Sequence, residues 1–512
     1  MVSFISSMGL LGLESFVVTV EADVSLGLPM FDIVGLPDAS IKESRDRVRS
    51  ALKNSGFEFP ARRIIVNLAP ADIKKCGPIY DLAILLAILK SSNQIDFDLT
   101  GNVFLGELSL GGSLGAVGGV LPMVIKACEM NFKRVFVPFE NAVEAAIVKD
   151  IEIFPIKNVT ELIKHLAGRC EIARQPVTEI NVENEENFND FSQVKGQYDA
   201  KRALEIAAAG GHNVLLIGPP GSGKSMLAKR ISTIIPDMTF EEVIETTKIY
   251  SISGALSGKK SFIAKRPFRA PHHTVSPAGL SGGGSVPRPG ELSLAHNGIL
   301  FLDELPEFMR TAMETLRQPI EDGTVTISRV RSSFTYPCSV MLIAAMNPCP
   351  CGYFGHPTRP CVCSRNTVNK YLNRVSGPLL DRLDMHVEVP SINFESISSE
   401  EDSESSFSIK MRVDSARKLQ IERYGGGDHA LCNAKVTMQL LKKTYNLTSE
   451  ARSTLKIAFE SMGFTARAYE RILRISRTIA DLEKSDNICE CHVCEAVQYR
   501  NLDRKYWIQS VN

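Results

Sequence analysis

The sequence has no surplus of charge: 58 Lys and Arg stand against 58 Asp and Glu in 512 residues. That excludes nucleic-acid binding by bulk basicity, so any phosphate-binding surface has to be a local patch. There is no long apolar run either. The strongest, at 82–89, is too short to cross a bilayer, and no membrane partner is expected. No basic segment precedes the apolar residues of MVSFISSMGLLGLESF, so no export signal is expected. A disulfide framework is excluded on the same ground. Twelve cysteines without an export signal point to a reducing compartment, the cytoplasm, with thiols free or bound to metal. What is present is ordinary apolar material for several cores, enough for three or four domains at roughly 100–200 residues each.

Residues 1–170 mix two periodicities. Positions 16–20 and 63–68 are rich in Val and Ile and read as strands. Positions 41–54 and 81–91 space their apolar residues as helices do. The glycine-rich LSLGGSLGAVGGVLP (108–122) follows, then a helix to residue 131 and a strand at 135–138. An α/β or α+β domain is expected. Residues 171–192 are polar, acidic and poor in aliphatics, and read as a linker. A dense pattern resumes over 193–390. The Ser- and Glu-rich stretch 391–408 marks a second linker or a long surface loop, and 409–512 reads as helical.

An apolar strand at 214–217 runs directly into GPPGSGKS and then into a helix at 226–235. A phosphate-binding P-loop requires this strand–loop–helix context. The loop consists of Gly218, Pro219, Pro220, Gly221, Ser222, Gly223, Lys224 and Ser225. Its glycines let amide groups turn inward round the phosphates, and the helix offers its positive end to the anion. Lys224 reaches the phosphates and Ser225 ligates Mg²⁺. A Gly-rich turn without a ligand would leave the Lys–Ser pair unexplained. About eighty residues on, the apolar strand 299–302 ends in Asp303 and Glu304. Asp303 suits holding a Mg²⁺-bound water, and Glu304 suits polarising the attacking one. A third apolar strand, 340–346, ends in Asn347, an amide placed to orient that water. The expected cofactors are ATP and Mg²⁺.

HNVLLIGPPGSGKSMLAKR, FRAPHHTVSPAGLSGGG, PRPGELSLAHNGILFLDELPEF, LRQPIEDG and AAMNPCPCG together resemble the magnesium-chelatase-related AAA+ ATPases, and among them the ComM, or YifB, family. The resemblance covers nearly the whole chain, from GLPMFDIVGLPDASIKESRDRVRSAL onward. It implies a Lon-protease-like, ribosomal-S5-type α+β domain at 1–170. A central AAA+ P-loop α/β domain at 193–390 and a C-terminal helical lid domain at 409–512 would follow. It makes Lys224 and Ser225 Walker A, Asp303 and Glu304 Walker B, and Asn347 sensor 1. In GPLLDRLDMHVEVP it makes Arg382 the arginine finger that reaches a neighbouring subunit's ATP. In FTARAYERILRISRTIADLE it makes Arg467 the sensor-2 arginine of the lid. By themselves these two residues read as a surface ion pair and a helix-face charge. A finger that acts in trans implies a ring, a homo-hexamer in such families. ComM-like members imply a motor on single-stranded or branched DNA that drives branch migration during recombination of incoming single strands, beside other recombination proteins.

The N-terminal domain departs from a protease. A Lon-type site needs a Ser nucleophile and a Lys base. KKCGPIYDLAILLAIL (74–89) offers Ile79 and Tyr80 in the nucleophile region. GGVLPMVIKA (118–127) offers Leu121 where the base would stand, with Lys126 out of register. Cys76 reads as an ordinary small residue. A non-catalytic interaction or DNA-guiding module is expected.

Cys349, Cys351, Cys361 and Cys363 place four thiols within fifteen residues, which suits a tetrahedral Zn²⁺ site. The alternative is a set of free thiols in a Pro-rich turn; zinc is the expectation. Cys489, Cys491, His492 and Cys494 lie in a helical pattern and read as structural. His272 and His273 read as a structural or nucleotide-sensing loop. GTVTISRVRSSFTYP (323–337) reads as a β-hairpin, with Arg329 and Arg331 two apart and so on one strand face. With Lys259 and Lys260 they are candidate contacts to a DNA backbone, or else a solvated charged hairpin.

Two rival functions compete with a DNA motor. One is an ATPase subunit that remodels a metal-inserting chelatase, acting on protein and a tetrapyrrole. The fused N-terminal domain and NPCPCG weigh against it. The other is a nucleotide-dependent scaffold, which has no need for the Lys224, Asp303, Glu304, Asn347 and Arg382 set.

Overall fold

Alternate residues of the strand Glu14–Ser25 turn Val18, Val20, Ala22 and Val24 inward, and this strand is the spine of a seven-stranded sheet. The order across the sheet is Met30–Val34, Arg63–Ala69, Glu14–Ser25, Val2–Leu11, Asn102–Phe104, Arg134–Pro138, Glu152–Ile156. The last three strands run parallel, continuing from Val2–Leu11. Against the sheet lies the helix Asp81–Ser91, in which only Lys90 is not buried. A helix apolar on every side is stable only inside a core. A second helix, Ala39–Asn54, starts at Asp38, whose carboxylate accepts the Ile41 amide at 2.9 Å.

The structure is a computed structural model and describes residues 2–179, 190–256, 262–284, 287–329, 332–391, 403–425 and 432–508. It divides into two compact units, Met1–Asn181 with Ile244–Ala264, and Val182–Val243 with Lys265–Asn512. The sequence pattern assigned 193–390 to one domain, yet residues 244–264 belong with the first unit. The reason is a buried polar contact. Ser251 Oγ donates to the Glu144 carboxylate, which also accepts the Leu121 amide at 3.0 Å and the Asn141 side-chain amide at 3.4 Å. The Ser251 carbonyl accepts from the Gly119 N–H at 3.1 Å. Burial raises the pKa of Glu144 against the pull of these donors.

The second unit holds an all-parallel five-stranded sheet in the order Phe268–Arg269, Ile299–Leu302, Met341–Met346, Val214–Ile217, Met385–Glu388. Every residue of its three central strands is buried, as required of a parallel sheet covered on both faces. Among the helices that follow are Ser406–Tyr424, Met438–Thr444, Ser449–Met462, Ala466–Leu482 and Glu490–Gln498. Ser405, Thr437, Thr448 and Thr465 cap the first four, each side chain accepting a first-turn amide. Ile472, Leu473 and Ile479 pack into the same core as Leu204 and Ile206 of Tyr198–Gly210, so the sheet and these C-terminal helices form one unit.

Both expected linkers contain residues that pack into the second unit. Phe191 is fully buried and its amide donates to Ser406 Oγ at 2.8 Å, so the turn Phe191–Gln193 is packed into the second unit. Asp190 accepts the Ser406 amide at 3.2 Å, which starts the first lid helix at Ser406, inside 391–408. The expected hairpin forms as Thr324–Arg329 against Ser332–Pro337. Among the described residues no helix is long and apolar enough to cross a membrane.

Candidate nucleotide site

The strand Val214–Ile217 delivers the chain to Gly218, where a Cβ would lie 2.1 Å from the Val389 carbonyl oxygen. Only glycine fits there. Gly221 and Gly223 take φ of 76° and 89°, the left-handed region, so the loop can curl before the helix Lys224–Arg230 begins. That helix is shorter than the expected 226–235 and passes into a 3₁₀ turn, Ile231–Thr233.

Strand order then assembles the site. Met341–Met346 lies between Val214–Ile217 and Ile299–Leu302, with Met346 beside Ile217 and Ala344 beside Leu302. Asn347 therefore leaves the sheet between Gly218 and Asp303, at the carboxyl edge where ligands of open α/β sheets bind. Lys224 Nζ donates to Asn347 Oδ1 at 3.1 Å and to the carbonyls of Gly218 and Pro219, both at 2.8 Å. Burial lowers the Lys224 pKa to about 8, against the opposing pull of Asp303 and Glu304. Ser225 Oγ donates to Asp303 Oδ2 at 2.5 Å. These two hard oxygens, beside the glycine-rich loop, are of the donor type that Mg²⁺ prefers. The Glu304 amide donates to Asp303 Oδ1 at 2.9 Å, and Glu304 itself sits at φ 52°, ψ 47°. A left-handed glutamate costs of order 1–3 kcal/mol, and such strain is usually retained at functional positions. Its side chain is 59% exposed, so water can reach the carboxylate.

Arg382 and Arg467 are held by acids of their own chain. Arg382 pairs with Glu321 and donates to the Pro378 carbonyl at 2.8 Å. Arg467, in the first turn of Ala466–Leu482, lies 3.9 Å from Asp381. One turn further on, Arg471 lies 3.3 Å from Asp384 and donates to the Leu383 carbonyl at 3.1 Å. The segment that carries Arg382 is thus tied to the lid helix on both sides.

This site stands in a chain whose relatives are recognisable along its full length. The family described as magnesium chelatase, subunit ChlI, matches residues 190–397. A ChlI-subunit family matches 20–141, and a ChlI C-terminal family matches 403–500. The uncharacterized protein YifB of Escherichia coli (strain K12) is 41% identical over 508 residues, 98% of this chain and 97% of that protein. Competence protein ComM of Haemophilus influenzae is 41% identical over 504 residues, 96% of each. The chain belongs to the ComM/YifB family. Lon protease 2 of Bacillus subtilis is 30% identical over 147 residues, 28% of this chain and 26% of that one.

Within this ComM/YifB chain, the region expected to resemble a protease site carries no nucleophile–base pair among its described residues. Ile79, Tyr80 and Leu121 are buried. Lys126 is taken up at the surface by Glu129, at 2.9 Å. Burial raises the Cys76 thiol pKa, and the nearby Asp38 adds to it, which is the wrong direction for a nucleophile.

His273, read from the sequence as part of a structural or nucleotide-sensing loop, stands beside Glu304. Its Nδ1 lies 3.4 Å from Glu304 Oε2, and the two histidine rings of His272 and His273 lie 4.1 Å apart. The second cysteine group is a helix start. His492 Nδ1 accepts the Cys489 amide at 3.0 Å and its Nε2 meets Glu483 at 2.8 Å, leaving both ring nitrogens used. The first group does converge, with the sulfurs of Cys349, Cys351, Cys361 and Cys363 all within 4.8 Å of one another. Strand pairing in the hairpin ends at Arg329 and Ser332. The side chain of Arg329, and all of Arg331, Lys259 and Lys260, lie outside the described residues.

Proposed function

We propose that this protein is an ATP-hydrolysing AAA+ motor that works as a homo-hexameric ring in the cytoplasm. It would act on single-stranded or branched DNA and drive branch migration in recombination. The observation that carries the ATPase reading is the convergence of Lys224 with Asn347 and of Ser225 with Asp303, at 3.1 and 2.5 Å, on one sheet edge. Lys224 would neutralise charge on the β- and γ-phosphates, and the loop amides would hold them in place. Ser225 and Asp303 would hold Mg²⁺, which offsets the charge that builds on the phosphates. Glu304 would accept the proton of the attacking water, and Asn347 would orient it. Arg382 would leave Glu321 to reach the neighbouring subunit's ATP, and Arg467 would leave Asp381 to sense it. The other cofactor in this reading is a zinc ion among Cys349, Cys351, Cys361 and Cys363.

The DNA half rests on the full-length likeness to a competence protein and on the Arg329/Arg331 hairpin. A protein-remodelling role is the second reading, favoured by the ChlI descriptions of the matching families. ATPase assays with and without forked or four-way DNA, at two salt concentrations, separate them. The DNA motor requires strong, salt-sensitive stimulation that Lys224→Ala abolishes and that Arg329→Ala with Arg331→Ala weakens. An ATPase indifferent to every DNA tested leaves protein remodelling.

A further inference from the structure

The chain that leaves Asn347 has no regular element until the helix Arg365–Leu372, so its shape depends on what ties it internally. Four sulfurs provide the tie. Cys349 Sγ lies 3.3 Å from Cys351 Sγ and 3.7 Å from Cys361 Sγ, and Cys351 and Cys361 are 3.5 Å apart. Cys363 completes the group within 4.8 Å. A zinc ion with four Zn–S bonds of about 2.3 Å places its sulfurs about 3.8 Å apart. A disulfide needs about 2.05 Å. The spacing is that of ligands round a single ion. A polynuclear iron–sulfur cluster has to fit its own iron and sulfide between the cysteines and would hold them farther apart. Cys349 is fully buried, and the Phe354 amide donates to its sulfur at 3.3 Å, the kind of outer contact that orients a metal ligand.

The same turn touches the nucleotide loop. Gly352, at φ 84°, closes Cys349–Cys351 so tightly over Pro220 that a Cβ there would lie 2.3 Å from the proline Cδ. Asn347, which accepts from Lys224, is two residues before Cys349. One loop therefore joins the four thiols, the P-loop proline and the amide that faces the phosphate lysine. We propose that zinc bound by the four cysteines clamps the nucleotide site, holding Gly352 on Pro220 and Asn347 on Lys224, so that metal loss releases nucleotide. The proposal rests on the ATP-site reading above.

The full chain, purified without chelator, should carry one zinc per protein by elemental mass spectrometry. A zinc-selective chelator, with Mg²⁺ in excess, should weaken binding of a fluorescent ATP analogue at least tenfold, and added Zn²⁺ should restore it. Cys361→Ser with Cys363→Ser, at the loop end remote in sequence from Pro220 and Asn347, should lose the metal and show the same weakened binding. Should that variant fail to fold, reversible chelation of the wild type decides. Absence of zinc after purification and after reconstitution overturns the metal site. Zinc that leaves while nucleotide affinity changes less than twofold overturns the clamp and spares the ATP site. A zinc-loaded protein that binds no nucleotide overturns the ATP-site reading, and the clamp with it, while the metal site stands.

Discussion

Placing a polyphosphate against Lys224 should make the protein take up a proton at alkaline pH. The lysine is buried, and burial holds its pKa at about 8 although Asp303 and Glu304 pull the other way. Its ammonium donates only to two carbonyls and the Asn347 amide oxygen, none of which carries a full charge. Phosphate charge would restore the ordinary alkaline pKa, so the bound form stays protonated through pH 9. From a pKa of about 8, the free protein is about nine-tenths protonated at pH 7 and about one-quarter at pH 8.5. Binding should then take up about 0.1 proton at pH 7 and about 0.75 at pH 8.5. Calorimetric titration with Mg²⁺ and a non-hydrolysable ATP analogue, in buffers of different ionisation enthalpy, reads this number directly. Lys224→Arg, whose guanidinium keeps its proton throughout, should show no uptake. An uptake below about 0.2 at pH 8.5 would refute the depressed pKa and the desolvation argument behind it.

Three further outcomes follow from the same geometry. Glu304→Gln should keep nucleotide affinity while lowering kcat by roughly 10²–10⁴, the range for losing a positioned general base; weakened binding of the same size would mean that Glu304 is structural. Asp481, fully buried on Ala466–Leu482, accepts from Arg423 at 2.5 Å, from Arg477 at 3.0 Å and from Asn433, in the turn before Met438–Thr444, at 2.8 Å. Asp481→Ala leaves two guanidinium groups without their acid and should cost about 3–5 kcal/mol in urea unfolding, with a loss under 1 kcal/mol counting against the network. Burial pushes the Asp384 carboxyl up, but His212, Arg471 and the Asn213 amide outweigh it and hold its pKa at about 2. Its folded pKa is below its unfolded one, so the stabilisation is complete above about pH 4 and is lost as pH falls toward 2. About 1 kcal/mol of acid-dependent stability should disappear in Asp384→Asn, measured as the change in unfolding free energy between pH 5 and 3.

Much of the site was legible because its parts are local. A P-loop needs a strand, a glycine-rich turn and a helix start within about a dozen contiguous residues, and each leaves its mark in composition. Asp303, Glu304 and Asn347 announce themselves because each ends a fully apolar strand. The helical character of 409–512 was legible from its amphipathic runs, while the caps Thr437, Thr448 and Thr465 that set where each helix starts came from the structure. The four cysteines were close enough in sequence to suggest one ion.

Other features depend on pairings that no short stretch encodes. That Met341–Met346 inserts between the P-loop strand and Ile299–Leu302, bringing Asn347 to Lys224, is decided by long-range strand order. So are the meeting of His273 with Glu304 and of Gly352 with Pro220, and the transfer of 244–264 to the first unit through Ser251 and Glu144. Local sequence by itself determined which residues could handle a phosphate, because hydrogen bonding within a turn involves near neighbours. Only the tertiary structure decided which of them stand together, because side chains a hundred residues apart meet through the burial of the strands that carry them.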